Sequence, residues 1–198
     1  MKKLGLVFFM LAIALMLGGS ALAQNVGDSS VYFVTYYSNN VAAAPDAVAR
    51  FINDGDTGAG PDPVGDLWAA IYVFDDSEEL TECCACTVTA DGLTSEDVKT
   101  QLTASPLTGH IPTRGVIKVI SSASPDPTAP KPTAGLRAWA THIQGAKPGT
   151  GPFIQTETAF ADSNLGAAEQ AALGMLCYYA DTLLSGVPCS CTPKDHDF

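Results

Sequence analysis

Apolar and polar positions alternate along most of the chain, and a period of two predicts strands. Ser30–Tyr37 reads SVYFVTYY, dense in β-branched and aromatic residues that fit a pleated surface. Asn39, Asn40 and Pro45 end it. Ala47–Ile52 predicts a second strand. Leu67–Phe74, LWAAIYVF, is nearly all apolar and predicts a buried central strand. Residues 53–65 between them (NDGDTGAGPDPVG) form a loop by composition. Leu80–Thr89, Gly115–Ser121, Leu136–Gln144 and Phe153–Ala161 add further strands. Thr94–Thr103 reads as a short helix capped by Thr94 or Ser95. Ser121–Gly135 holds four prolines and predicts an extended surface loop.

One strong helical pattern occurs, at Ala167–Leu184. Gly166 and Glu169 stand at the spacing of an N-cap and its N3 partner. Ala168, Ala172, Leu176 and Tyr179 fall on one side, widened by Leu173, Leu183 and Leu184; Gly186 and Pro188 stop the helix. Short, regularly spaced strands and one terminal helix predict a mainly β fold. The expected architecture is an antiparallel β-sandwich with one C-terminal α-helix, in a single domain over residues 24–191 with a flexible tail at 192–198.

The first residues break this pattern. Lys2 and Lys3 precede an apolar run from Leu4 to Leu17, followed by Gly18-Gly19-Ser20 and Ala21-Leu22-Ala23. This is the layout of a signal peptide, with cleavage expected after Ala23 and Gln24 as the new N-terminus. The run is short of the ~20 residues a membrane span needs. The chain has 198 residues, 10 basic and 21 acidic, for a net charge of -11. Cleavage removes two lysines and no acid, so the mature chain carries 8 basic and 21 acidic residues. The few basic residues are scattered, which argues against nucleic acid as a partner. No membrane span is expected after cleavage. A secreted protein follows, extracellular, at the cell surface or in the periplasm.

Export changes how the cysteines read. Cys83, Cys84, Cys86, Cys177, Cys189 and Cys191 make an even count in an oxidising compartment, so disulfides are expected. Six thiols allow 15 full pairings. In a strand, Cys84 and Cys86 face one side and Cys83 the other. The attractive arrangement lays Cys189-Ser190-Cys191 beside Cys84-Ala85-Cys86, tying the C-terminus to a central strand, and leaves Cys177 to pair from the helix with a remaining thiol. A redox pair or a metal site are the alternatives. Neither a thioredoxin-like Cys-x-x-Cys nor a finger-like histidine spacing supports them.

Catalytic patterns are sparse. Gly27-Asp28-Ser29 resembles an esterase nucleophile block but follows the cleavage site instead of a buried strand. His110, His142 and His196 are far apart, and His142 reads as a partly exposed sheet residue. Glu78, Glu79 and Glu82 read as a solvated turn. Asn53, Asp54, Asp56, Asp62 and Asp66 crowd oxygen ligands into one loop; Asp54, Asp56 and Asp62 are candidate Ca²⁺ ligands, although Val64 or Gly65 stands where an EF-hand needs glutamate. No other cofactor is indicated. Trp68 reads as core, and Trp139, between Ala138 and Ala140, is a candidate for stacking on sugar.

Ile71-Tyr72-Val73-Phe74-Asp75, Glu82-Cys83-Cys84-Ala85-Cys86, Asp91-Gly92-Leu93, Pro106-Leu107-Thr108-Gly109, Gly115–Ser121 and Cys189-Ser190-Cys191 carry a resemblance. The chain resembles a set of exported, cysteine-bearing bacterial proteins without assigned activity. That resemblance implies an exported, cysteine-bearing domain. The resulting expectation is a non-catalytic structural or adhesive protein of the cell surface or extracellular matrix, with self-association or surface polymers as partners. One form is a filament subunit built by strand donation, with Val31, Phe33, Thr35 and Tyr37 entering a neighbour's open sheet. A secreted hydrolase or a carbohydrate-binding module is the alternative.

Overall fold

Each alternating segment pairs with others because a lone strand cannot satisfy any of its own backbone N–H and C=O groups. The computed structural model describes residues 31–39, 41, 43–55, 65–104, 110–147, 150–183, 189 and 191. The strands are β1 (Tyr32–Ser38), β2 (Val48–Asn53), β3 (Leu67–Asp75), β4 (Leu80–Val88), β5 (Leu93–Asp97), β6 (Arg114–Ser122), β7 (Leu136–Lys147), β8 (Thr150–Ala159) and β9 (Ala161–Asp162). One sheet has the order β4-β3-β6-β1-β9 and the other β5-β2-β7-β8. All pairings between these strands are antiparallel. Helix α1 (Ala167–Leu183) completes the fold.

The two sheets face each other across a core of Phe33, Tyr37, Phe51, Leu67, Ile71, Ile117, Val119, Leu136 and Ile143. Burying each large apolar side chain contributes ~1.5–3 kcal/mol. A second apolar cluster lies on the other face of the first sheet: Leu173, Cys177 and Ala180 of α1 pack against Tyr32, Ala70, Tyr72, Leu80 and Ile120. β3 therefore buries residues on both of its faces, which explains its unbroken apolar run. Gly115 lies directly opposite Tyr37 in the β1–β6 register. A Cβ there would strike the Phe74 carbonyl and crowd the Tyr37 ring, so only glycine lets that ring lie down.

The chain closes the sandwich on one side by switching sheets. β8 edges the second sheet, Phe160 inserts into the core edge-on to Phe51, and β9 pairs with β1 at the margin of the first. A parallel bridge between Asn39 and Ile143 joins β1 to β7 nearby.

Three expectations are corrected. Thr94–Thr103 is no α-helix: β5 pairs with β2, and Val98–Leu102 forms one π-helical turn. Asp46 accepts the N–H groups of Lys99 and Thr100 at 3.0 and 3.1 Å, a cap from more than 50 residues away that no local pattern announces. The buried side of α1 runs through Leu173, Gly174, Cys177 and Ala180, whereas Leu176 and Tyr179 are exposed. Apolar residues surround this helix. Its rotation is set by the Cys83–Cys177 bridge and by Gly174, which packs against the Thr128 carbonyl. Glu169 does not close a capping box; it accepts from Tyr32 Oη at 3.0 Å and Lys118 Nζ at 2.6 Å. Third, the cysteine-bearing strand β4 is an edge strand, not a central one.

Candidate functional site

The period of two along β4 sorts its cysteines. Cys84 and Cys86 point between the sheets and Cys83 points toward α1. Cys84 bonds Cys189 and Cys86 bonds Cys191, each across 105 residues, with Cα separations of 5.4 and 5.1 Å. Cys83 bonds Cys177 over 94 residues, with a Cα separation of 5.8 Å. The second Cys-x-Cys thus lies beside the first, and Cys189 becomes part of the inter-sheet core. The Sγ atoms of Cys84, Cys86 and Cys191 lie within 4.8 Å of one another. As disulfide sulfurs they offer no thiolate, so the cluster is not a zinc site.

Two carboxylates face inward near this side. Glu82 is buried, not solvated as its neighbours suggested; Glu78 and Glu79 are exposed. Its charge, with those of Asp75 and Asp76, adds to burial in raising the Tyr37 hydroxyl pKa. Glu96 on β5 is completely buried opposite Ala49, and neither carboxylate oxygen has a hydrogen-bond partner. Burial, and secondly the charge of Asp97, push its pKa up to about 8. Glu96 is therefore protonated through most of the neutral range.

His142 is buried, not partly exposed. Its ring stacks on Tyr36 at 4.1 Å, Nε2 shares a hydrogen bond with Thr158 Oγ1 at 2.8 Å, and burial lowers its pKa. Gln144 donates to the Tyr36 hydroxyl at 2.8 Å, completing a packed polar cluster on the β7–β8 hairpin. His142 Nδ1 is buried without a hydrogen-bond partner and Nε2 meets only Thr158 Oγ1, so among the described residues no carboxylate orients the ring as a base–orienter pair would require.

The calcium candidates separate. Asp54 pairs with Arg137 at 3.1 Å, while Asp56 and Asp62 lie outside the described residues. Asn53 is buried and donates to the Gly65 and Val88 carbonyls at 2.7 and 3.0 Å, fastening the ends of the loop to β4. Asp66 accepts from Ala90 N–H. Trp139 is half-buried on β7 between Arg50 and Ala159, and Trp68 is half-buried as well. Val31 packs partly buried beside the α1 cluster. Phe33, Thr35 and Tyr37 are buried in β1, which β6 pairs from Tyr32 to Ser38 and β9 at Phe33–Val34. Donating this strand would require it to leave its own sheet. Residues 1–30, with Gly27-Asp28-Ser29, and His196 lie outside the described residues.

At the opposite margin, among the described residues, β8 pairs with β7 alone, and every side chain from Pro152 to Ala159 is exposed. The residue pattern predicts this strand but not its exposure. The one local signal is the adjacent pair Phe153-Ile154, which breaks the alternation of a half-buried strand. Among the described residues no helix is long and apolar enough to cross a membrane. Comparison with family models, with curated proteins and with solved structures gave no match.

Proposed function

We propose that the protein is an exported, non-catalytic structural or adhesive component of the cell surface or extracellular matrix. One observation carries this reading: all six cysteines are joined in three bridges, two of them holding the C-terminal segment in the core. Such a construction belongs to an oxidising compartment and serves durability. The groups best suited to acid–base work support the same view, since Glu96 and His142 are buried among packing side chains. Assembly through a sheet edge fits this geometry better than donation of β1, which already has neighbours on both sides.

The test uses the full chain expressed in a bacterial host with intact export. The expected product begins at Gln24, lies outside the inner membrane, makes its cells adhere to a coated surface and turns over no member of an esterase and glycosidase panel. Turnover lost in His142→Ala or Glu82→Gln would replace this reading with a hydrolase. Retention on polysaccharide abolished by Trp139→Ala, with an unchanged melting temperature, would replace it with a carbohydrate-binding module.

A further inference from the structure

We infer that β8 pairs with β8 of a second copy, antiparallel about a two-fold axis at Gln155. β2 last pairs with β7 at Ala49–Ala140, so the hairpin runs beyond it as a two-stranded ribbon, touched by β1 through the Asn39–Ile143 bridge. Ile154 is 68% exposed and Phe153 41%. A two-stranded ribbon is marginal in water, and its open edge is a template for another strand.

The backbone shows which groups are bare. Phe160 N–H donates to the Ala138 carbonyl at 2.9 Å. Antiparallel alternation then turns the N–H and C=O groups of Ile154, Thr156 and Thr158 toward β7 and those of Phe153, Gln155, Glu157 and Ala159 outward. Pro152, which has no N–H, lies past Phe153 where the β7–β8 register shifts, outside the regularly paired stretch from Phe153 to Ala159. No lysine or arginine guards the strand, and Glu157 is its single charge.

Self-pairing suits a strand with one charge, and that charge limits the register. An axis at Gln155 sets Gln155 against its copy, Phe153 against the copy's Glu157, and Ile154 against the copy's Thr156. An axis at Glu157 would oppose two carboxylates. With the axis at Gln155, Glu157 keeps its ion pair with Arg50 at 3.4 Å. The other margin of the second sheet does not compete, because β5 folds back onto β4, with Thr94 Oγ1 donating to the Thr87 carbonyl. The contact is isologous and closes as a dimer with one continuous eight-stranded sheet, twice the four strands of the second sheet. It rests on the structural reading above only for its use in the organism.

Sedimentation of the purified mature chain tests it apart from localisation and adhesion. A concentration-dependent dimer is expected. Gln155→Pro removes an outward N–H and should weaken it roughly tenfold or more at unchanged melting temperature. Phe153→Arg places a cation opposite the copy's Glu157 and should tighten it several-fold. Hydrogen-bonded antiparallel partners lie about 5.5 Å apart at Cα, within disulfide reach, so oxidised Gln155→Cys should form a covalent dimer and the exposed control Leu93→Cys should not. A wild-type chain that stays monomeric to about millimolar concentration, or equal crosslinking at positions 155 and 93, would overturn the proposal.

Discussion

β4 and β8 are both edge strands, yet one is locked and the other is open. β4 carries three cysteines, buries residues toward both the other sheet and α1, and is bound covalently to the helix and the C-terminal segment. Among the described residues β8 has a single neighbour, no disulfide and exposed side chains from Pro152 to Ala159. A sandwich must deal with every margin it cannot close. Here sulfur covers one margin, and among the described residues the opposite one stays open. The locked side is cross-linked to distant parts of the chain, and the open side is where the proposed dimer would form.

Breaking the locked side should have the largest effect. Replacing Cys84 and Cys189 together by alanine opens a loop of 105 residues and should cost ~2–5 kcal/mol, read as a lower urea midpoint. The same truncation on two strands sharpens the contrast. Ile71→Ala in the core should cost ~2–5 kcal/mol, whereas Ile154→Ala on β8 should change monomer stability by less than ~0.5 kcal/mol. Urea unfolding of both variants, at concentrations too low for association, gives the comparison.

Glu96 adds a pH dependence to the locked side. Its folded pKa is raised to about 8, so the folded state holds a proton that the unfolded chain releases above the ordinary carboxylate range. Its contribution is fully present at acid pH and is lost as pH rises through about 8. Glu96→Gln should leave stability unchanged below the ordinary carboxylate pKa and raise it above pH 8, by on the order of a few kcal/mol. Equal pH profiles for the two proteins would contradict this account.

The smallest effect belongs to Glu169, which links α1 to the first sheet. Lys118, and then Tyr32, hold its pKa below the ordinary value. Stability from this link is present above the ordinary carboxylate pKa and disappears as pH falls through the depressed one. The group is partly exposed, so Glu169→Gln should cost under ~1 kcal/mol at neutral pH and nothing in acid.

Legibility followed the range of the interaction. SVYFVTYY, LWAAIYVF and GVIKVIS announced β1, β3 and β6 because side-chain periodicity and β-branching act within a few residues. Thr94–Thr103 misled because it holds local helix signals, while its actual partners are the backbone of β2 and the carboxylate of Asp46. Glu82 looked solvated beside Glu78 and Glu79, yet strand parity, the rule that sorted the cysteines, turns it inward with Cys84 and Cys86. The rotation of α1 was hidden by apolar residues on all its sides.

Composition, periodicity and cysteine spacing by themselves determined a β-rich sandwich with a terminal helix, and the two sides on which the β4 cysteines stand, because each depends on neighbours along the chain. Only the tertiary structure decided which strands became margins, where Glu96 and His142 were buried, and that among the described residues β8 pairs with β7 alone. Those outcomes depend on how segments far apart in sequence meet, and backbone hydrogen bonding can satisfy many such meetings until packing selects one.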